Sequence, residues 1–217
     1  SSNFSWENLQ PALQFFDYPT KNLPLKSVDV DQLLIKADMP LNSLVKIDTL
    51  KQQLAGHVEL ITKNTILSIN NKNYSIDSLT GKGTWDKGVL THNFSGIALG
   101  SSFSLNGKLP FSNLGKDSTS RIEWKNLALE KLPFEKGLAW SPAEGKTSGS
   151  LSLTGPLPNY KETFPGRLNG EVNFQAEGLV LKSAKKSDLI KLGHLQGHGS
   201  FNQVQLQHEI SGTVWGS

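Results

Sequence analysis

The one pair of residues spaced for metal chemistry is His194 and His198, in the stretch GHLQGHG. On a helix this spacing turns two imidazoles to one side, as a zinc site requires. Glycines at 193, 197 and 199 argue against a helix there, and no acidic third ligand sits nearby. The expected reading is a pair in an exposed loop, with no metal. Among the 19 acidic residues, Glu59 or Asp77 could join a hydrolytic pair, but no spacing singles out two carboxylates. No nucleophile elbow, P-loop or dinucleotide glycine pattern is present. The chain has no cysteine, which excludes disulfides and thiolate metal sites. Five tryptophans, at 6, 85, 124, 140 and 215, could stack on sugars or serve as hairpin and edge packing. Taken together, the residue types predict a protein that is not an enzyme and carries no cofactor.

Charge narrows the partners. The excess of 22 basic over 19 acidic residues is slight and scattered, and Arg occurs only at 121 and 167. A nucleic-acid footprint needs Lys and Arg clustered on one face, so no nucleic-acid partner is expected. The densest basic run, KSAKK at 182–186, reads as a solvated loop or helix start, or as a contact to an anionic headgroup. No apolar run approaches the roughly 18 residues of a membrane span. The chain starts at Ser1 without Met and stops on TVWGS in a strand-like run, so a segment of a longer, membrane-anchored polypeptide is expected.

The elements that would position any site are nearly all strands. Helical spacing is confined to Ser5–Phe16, to Asn42–Leu54 with Gly56 behind it, and to Ser187–Leu192 before Gly193. Elsewhere apolar residues alternate with polar ones, INNKNY and WDKG read as hairpin turns, and glycines punctuate about a dozen short strands. The predicted class is all-β with minor α. Residues 1–54 form an N-terminal segment with short helices and a first strand, and 55–217 form a repetitive curved sheet continuous with it.

Two stretches repeat. SFSLNGKLPFSN at 102–113 and SLSLTGPLPN at 150–159 align Phe103, Leu105 and Leu109 with Leu151, Leu153 and Leu157 on one side of a strand. Pro110 and Pro158 are expected to end those strands, since proline cannot donate a ladder hydrogen bond. A shorter phrase recurs as VDQLLI, FSGIAL, WKNLAL and FNQVQL, with FQAEGLVL as a longer form. Its three-residue step between apolar positions breaks alternation. A bulge or bend at each copy would keep the apolar side chains on one face and curve the sheet. Spacing between copies is too uneven for a propeller or β-helix. The expected fold is therefore a long, bent, mostly antiparallel sheet, with a β-sandwich as the alternative.

GSLSLTGPLP, GRLNGEVNFQAEGLVL and GSFNQVQLQHEISGTVWG resemble the periplasmic AsmA-like proteins of Gram-negative bacteria, the TamB group included, over roughly 28–215. GLAW at 137–140 is also similar to a phrase of type II secretion N proteins. The resemblance implies an open, taco-like trough anchored in the inner membrane and lying in the periplasm, its apolar face holding phospholipid acyl chains. On that implication Phe103, Leu105, Leu151, Leu153, Val172, Phe174, Val204 and Leu206 face lipid; in a sandwich they would be core. Two further readings stay open: a module of a secretion or outer-membrane assembly machine docking an envelope protein by strand addition, and a carbohydrate-binding sandwich.

Overall fold

The computed structural model describes residues 25–38, 55–69, 72–110, 117–132, 139–156, 167–184 and 188–214. They form ten strands: β1 (Leu25–Asp38), β2 (Ala55–Ile69), β3 (Lys72–Asp86), β4 (Val89–Ala98), β5 (Ser101–Pro110), β6 (Asp117–Ala128), β7 (Trp140–Pro156), β8 (Asn169–Ser183), β9 (Leu189–Phe201) and β10 (Leu206–Val214). All belong to one sheet whose spatial order equals chain order. Every neighbouring pair is antiparallel, and the sheet stays open between β1 and β10. The only other regular element among the described residues is a 3-10 turn at Leu129–Lys131. The curved open sheet expected from the sequence is what forms, and no second sheet packs on it among the described residues.

One helix expectation is corrected. Leu189–Leu192, expected to be helical, opens β9 and pairs with Lys182 back to Leu179 of β8. Six residues cannot offset the cost of nucleating a helix, whereas β8 offers them a ready ladder. The helices expected at 5–16 and 42–54 lie outside the described residues. β1 pairs with β2 from Leu25 to Asp38, so the first strand belongs to the same sheet.

Two hairpins turn on two residues each. Lys87–Gly88 has φ of 47° and 75°, and Leu99–Gly100 has 54° and 75°. These left-handed pairs are the type I′ geometry that matches strand twist. WDKG is thus a turn, as expected. FSGIAL is not a kink: β4 pairs with β5 without a register shift and runs straight into the Leu99–Gly100 turn. Leu99 is a poor residue for positive φ, and Lys131 Nζ steadies it by donating to its carbonyl at 3.1 Å. We expect Leu99→Asn, which suits the turn, to stabilise the chain by about 1 kcal/mol in urea titration.

The kinks that do form lie on a line across the sheet. β1 shifts register between Val30 and Gln32, β3 between Ile76 and Ser78, β6 between Trp124 and Leu127, and β7 around Glu144. Positive φ falls at Asn64, Asn126, Gly145 and Gly178 along the same line. At Asn126 the kink is held from both sides: Ser101 Oγ donates to its carbonyl at 3.0 Å, and its N–H donates to Ser148 Oγ at 2.9 Å. VDQLLI, WKNLAL and FQAEGLVL therefore do mark bends. Val30, Thr62, Thr147 and Ala176, all 7% exposed or less, sit along this crease. Bulges aligned in neighbouring strands bend a sheet, and the most buried of these side chains lie along the bend.

Candidate functional site

Register sorts the side chains into two faces. One row crosses the strands from Leu33 and Leu60 through Phe94, Leu105, Ile122 and Leu151 to Val172, with glycines at 81 and 199. The adjacent polar row holds Glu59, Lys82, Asn93, Asn106, Arg121, Ser152 and Glu171. Successive residues of a strand point to opposite sides, so alternation in ten strands makes one apolar and one polar face.

The apolar face has no apolar layer over it among the described residues. Among the described residues the buried hydrophobic ones are Val30, Leu168, Ala176 and Leu179, and none lies mid-face. Phe103, Leu105, Ile122, Leu151, Leu153, Val172 and Phe174 are half-buried, as their strand neighbours alone would leave them. A sheet packed against a second layer would bury these positions first.

Aromatic rings lie down on this face. Phe94 covers Gly81, Phe103 covers Gly96, Trp124 covers Gly149, Phe174 covers Gly197, Phe201 covers Gly170 and Trp85 covers Gly56. Each glycine lies on a neighbouring strand, and a methyl added to it would strike or crowd the ring, for example Trp124 Cζ2 at 2.6 Å from such a carbon on Gly149. A glycine in mid-strand leaves backbone bare, and a ring from the next strand shields it. Sequence reasoning took Gly56 for the end of a helix and the other glycines for punctuation of short strands. The signal was there in their alternation with other residues inside apolar-polar runs, as in LTGKGTW beside HNFSG.

Of the residues expected to face lipid, Phe103, Leu105, Leu151, Leu153, Val172, Phe174 and Leu206 fall on the apolar face by register. Val204 does not. It sits in the turn between β9 and β10, 88% exposed, where Asn202 Oδ1 accepts from the N–H groups of Val204 and Gln205, both at 2.9 Å. FNQVQL is therefore a turn and not a bent strand. Pro110 ends β5 as expected; β7 ends at Pro156, and residue 158 lies outside the described residues.

His194 and His198 lie in β9 and not in a loop. Four residue steps along a strand separate them by roughly 13 Å, too far for one ion. His198 Nδ1 instead lies 2.8 Å from Asn173 Oδ1. No group of three potential metal ligands occurs among the described residues. Trp85 and Trp124 lie flat on glycines of the apolar face and build no exposed sugar platform. Trp6 and Trp215 lie outside the described residues.

The polar face is wet and ionic. Lys82 meets Glu59 at 2.8 Å and holds its carboxyl below the usual range, chiefly through their hydrogen bond; Lys63 meets Asp31 at 2.6 Å. Exposed pairs of this kind contribute little to stability and more to register. A shallow polar depression of 650 Å³ crosses β6 to β10 on this side, between Arg121, Glu123, Asn173, Gln196, His198 and Glu209.

A buried histidine sits on the apolar face. His92, 5% exposed, packs near Phe94 with ring centroids 6.0 Å apart, and its Nδ1 has no partner. Burial lowers its pKa below the ordinary 6.5. The folded chain holds the neutral ring while the unfolded chain takes up a proton near pH 6.5. Its effect on stability is therefore absent above that pH, and stability falls as pH drops through 6.5 towards the lower folded value. We expect a falling melting temperature between pH 7 and 5, and a flatter profile in His92→Phe, measured by thermal melts.

Comparison of the chain with protein-family models, curated proteins and solved structures gave no match.

Proposed function

We propose that the chain is a non-enzymatic segment of a periplasmic, AsmA-like envelope protein, whose apolar face binds or conducts the acyl chains of phospholipid between membranes. The observation that carries this reading is an apolar face running across ten strands with no second layer on it among the described residues. Apolar surface of this extent is unstable in water, and soluble proteins rarely expose contiguous patches beyond a few hundred Å². An acyl chain can occupy such a surface without hydrogen-bond partners, and rings lying flat on glycines leave a floor low enough to hold one.

The test is native mass spectrometry of the purified chain, with organic extraction and lipid analysis against a mock purification. Near-stoichiometric phospholipid supports the reading. An apo mass, with no uptake from phospholipid vesicles, discards it.

A further inference from the structure

Where β7, β8 and β9 run out past the crease, the division into one apolar and one polar face breaks down. β8 and β9 close on each other there, the Ser183 N–H donating to the Asp188 carbonyl at 3.1 Å, and the Ala184 N–H ties this end to the approach of β7 by donating to the Ala139 carbonyl at 2.9 Å. Ile190 pairs with Leu181 and Leu181 with Pro142, so these three share one side of the sheet, and Trp140 stands two residues from Pro142 on that same side. Leu189, next to Ile190, points to the opposite side, in register with Lys182 and Ser141. Trp140 and Ile190 are each 36% exposed, and Leu189 is 55% exposed. Large apolar side chains are therefore open to solvent on both sides of one strand end.

Positive charge gathers at the same place. Residues 182–191 hold lysines at 182, 185, 186 and 191 against a single acidic residue, Asp188. Their net of +3 equals that of the whole chain, so the remaining sequence is balanced. Lys182 lies across the ladder from Leu189 and Lys191 follows Ile190, both exposed. The acidic residue of β7 in this region, Glu144, lies further in, opposite Val180.

This pairing of features selects one kind of partner. A protein that packed on one side of the sheet end would leave the apolar side chains of the other side in water, whereas immersion covers both sides at once. Tryptophan settles at the boundary between acyl chains and headgroups, its ring in one and its N–H in the other. Lysines beside an apolar tip lay their stems along it and carry their ammonium groups to anionic phosphates.

We propose that this end of the sheet, Trp140, Leu189 and Ile190 with their flanking lysines, docks end on in the headgroup layer of an anionic phospholipid bilayer. The contact is peripheral and reversible, set by a few immersed side chains and by charge. It does not rest on what the mid-sheet apolar face holds.

The experiment is sedimentation with vesicles of phosphatidylcholine alone or mixed with phosphatidylglycerol. The wild-type chain prefers the anionic vesicles by about tenfold or more, and the preference falls at high salt. Each lysine near an anionic surface is worth roughly fivefold in partition, so Lys182→Gln with Lys191→Gln lowers anionic binding by at least about tenfold. Leu189→Ser with Ile190→Ser lowers it comparably while circular dichroism is unchanged. Because the chain has no cysteine, Leu189→Cys accepts a single environment-sensitive fluorophore. Its emission shifts to the blue on anionic vesicles, and the same label on Thr91→Cys, exposed on the polar face of β4, does not shift. Leu105→Asp with Leu153→Asp keeps the anionic preference, whatever it does to a bound acyl chain. Equal binding to both kinds of vesicle overturns the proposal, as does anionic binding that survives both double variants of the sheet end. So does a label that shifts equally at 91 and 189, or loss of vesicle binding in the 105 and 153 variant, which would move the contact to the mid-sheet face.

Discussion

Replacing Gly197 with alanine lowers stability by about 2 kcal/mol, and truncating Phe174 in the same chain restores at least 1 kcal/mol of the loss. Backbone entropy alone predicts the opposite sign, because alanine in place of a strand glycine gains up to about 1 kcal/mol. The reversal comes from the ring. A methyl on Gly197 would lie 2.5 Å from Phe174 Cζ and 3.2 Å from its Cδ1, and its three nearest neighbours are all atoms of that ring. Phe174→Ala clears the space, so the two substitutions are strongly coupled. Gly149→Ala is the contrast: it meets the Asn173 carbonyl as well as Trp124 Cζ2, and no side-chain truncation moves a backbone oxygen. Urea unfolding of the four members of the cycle, with Gly149→Ala and its Trp124→Ala partner, reads both. Additive losses at 174 and 197 would mean that the ring is not seated on the glycine.

Leu105→Asp combined with Leu153→Asp reduces bound acyl chain by at least tenfold while the sheet stays folded. Both leucines lie on the apolar face, half-buried, and neither covers a glycine. On an open face the new carboxylates remain hydrated when lipid is absent, and the loss of stability stays near 1 kcal/mol in total. Under a covering layer the same carboxylates would be desolvated, at several kcal/mol each, and the chain would unfold. Thr91→Asp, exposed on the polar face between Thr84 and Lys108, should change neither quantity. Binding is read by displacement of a fluorescent fatty acid, and folding by circular dichroism. Unfolding of the leucine variant would identify the face as an ordinary core, and full binding by a folded variant would remove these residues from the lipid site.

Much of the sheet was legible because period two is a local property. Ser102–Pro110 and Ser150–Pro156 announce strands, and the three-residue step in WKNLAL announces a bend that the structure places at Asn126. FNQVQL shows the limit. Asparagine favours a left-handed kink and also caps a turn with its own side chain, so Asn126 and Asn202 carry the same letters into different geometries. Only the pairing partner decides, and pairing is not local. The same holds for the glycines, since Gly197 reads as punctuation until Phe174 is known to lie beside it. Leu189–Leu192 misled for a third reason: a short apolar run has no period of its own and takes its conformation from the neighbouring strand.

The order of the strands has an evolutionary consequence. Because spatial order equals chain order, the strands among the described residues pack chiefly on their neighbours in sequence, and the sheet is in effect one-dimensional. Its span is then a ruler graduated in strands, about 4.8 Å each. The two near-identical phrases occupy β5 and β7, two strands apart, running the same way and presenting the same face. Gaining or losing one such two-strand unit would lengthen or shorten the sheet by about 10 Å without reversing either face or disturbing a remote contact. Reach in such a protein can be inherited as hairpin number, separately from the chemistry of its surface.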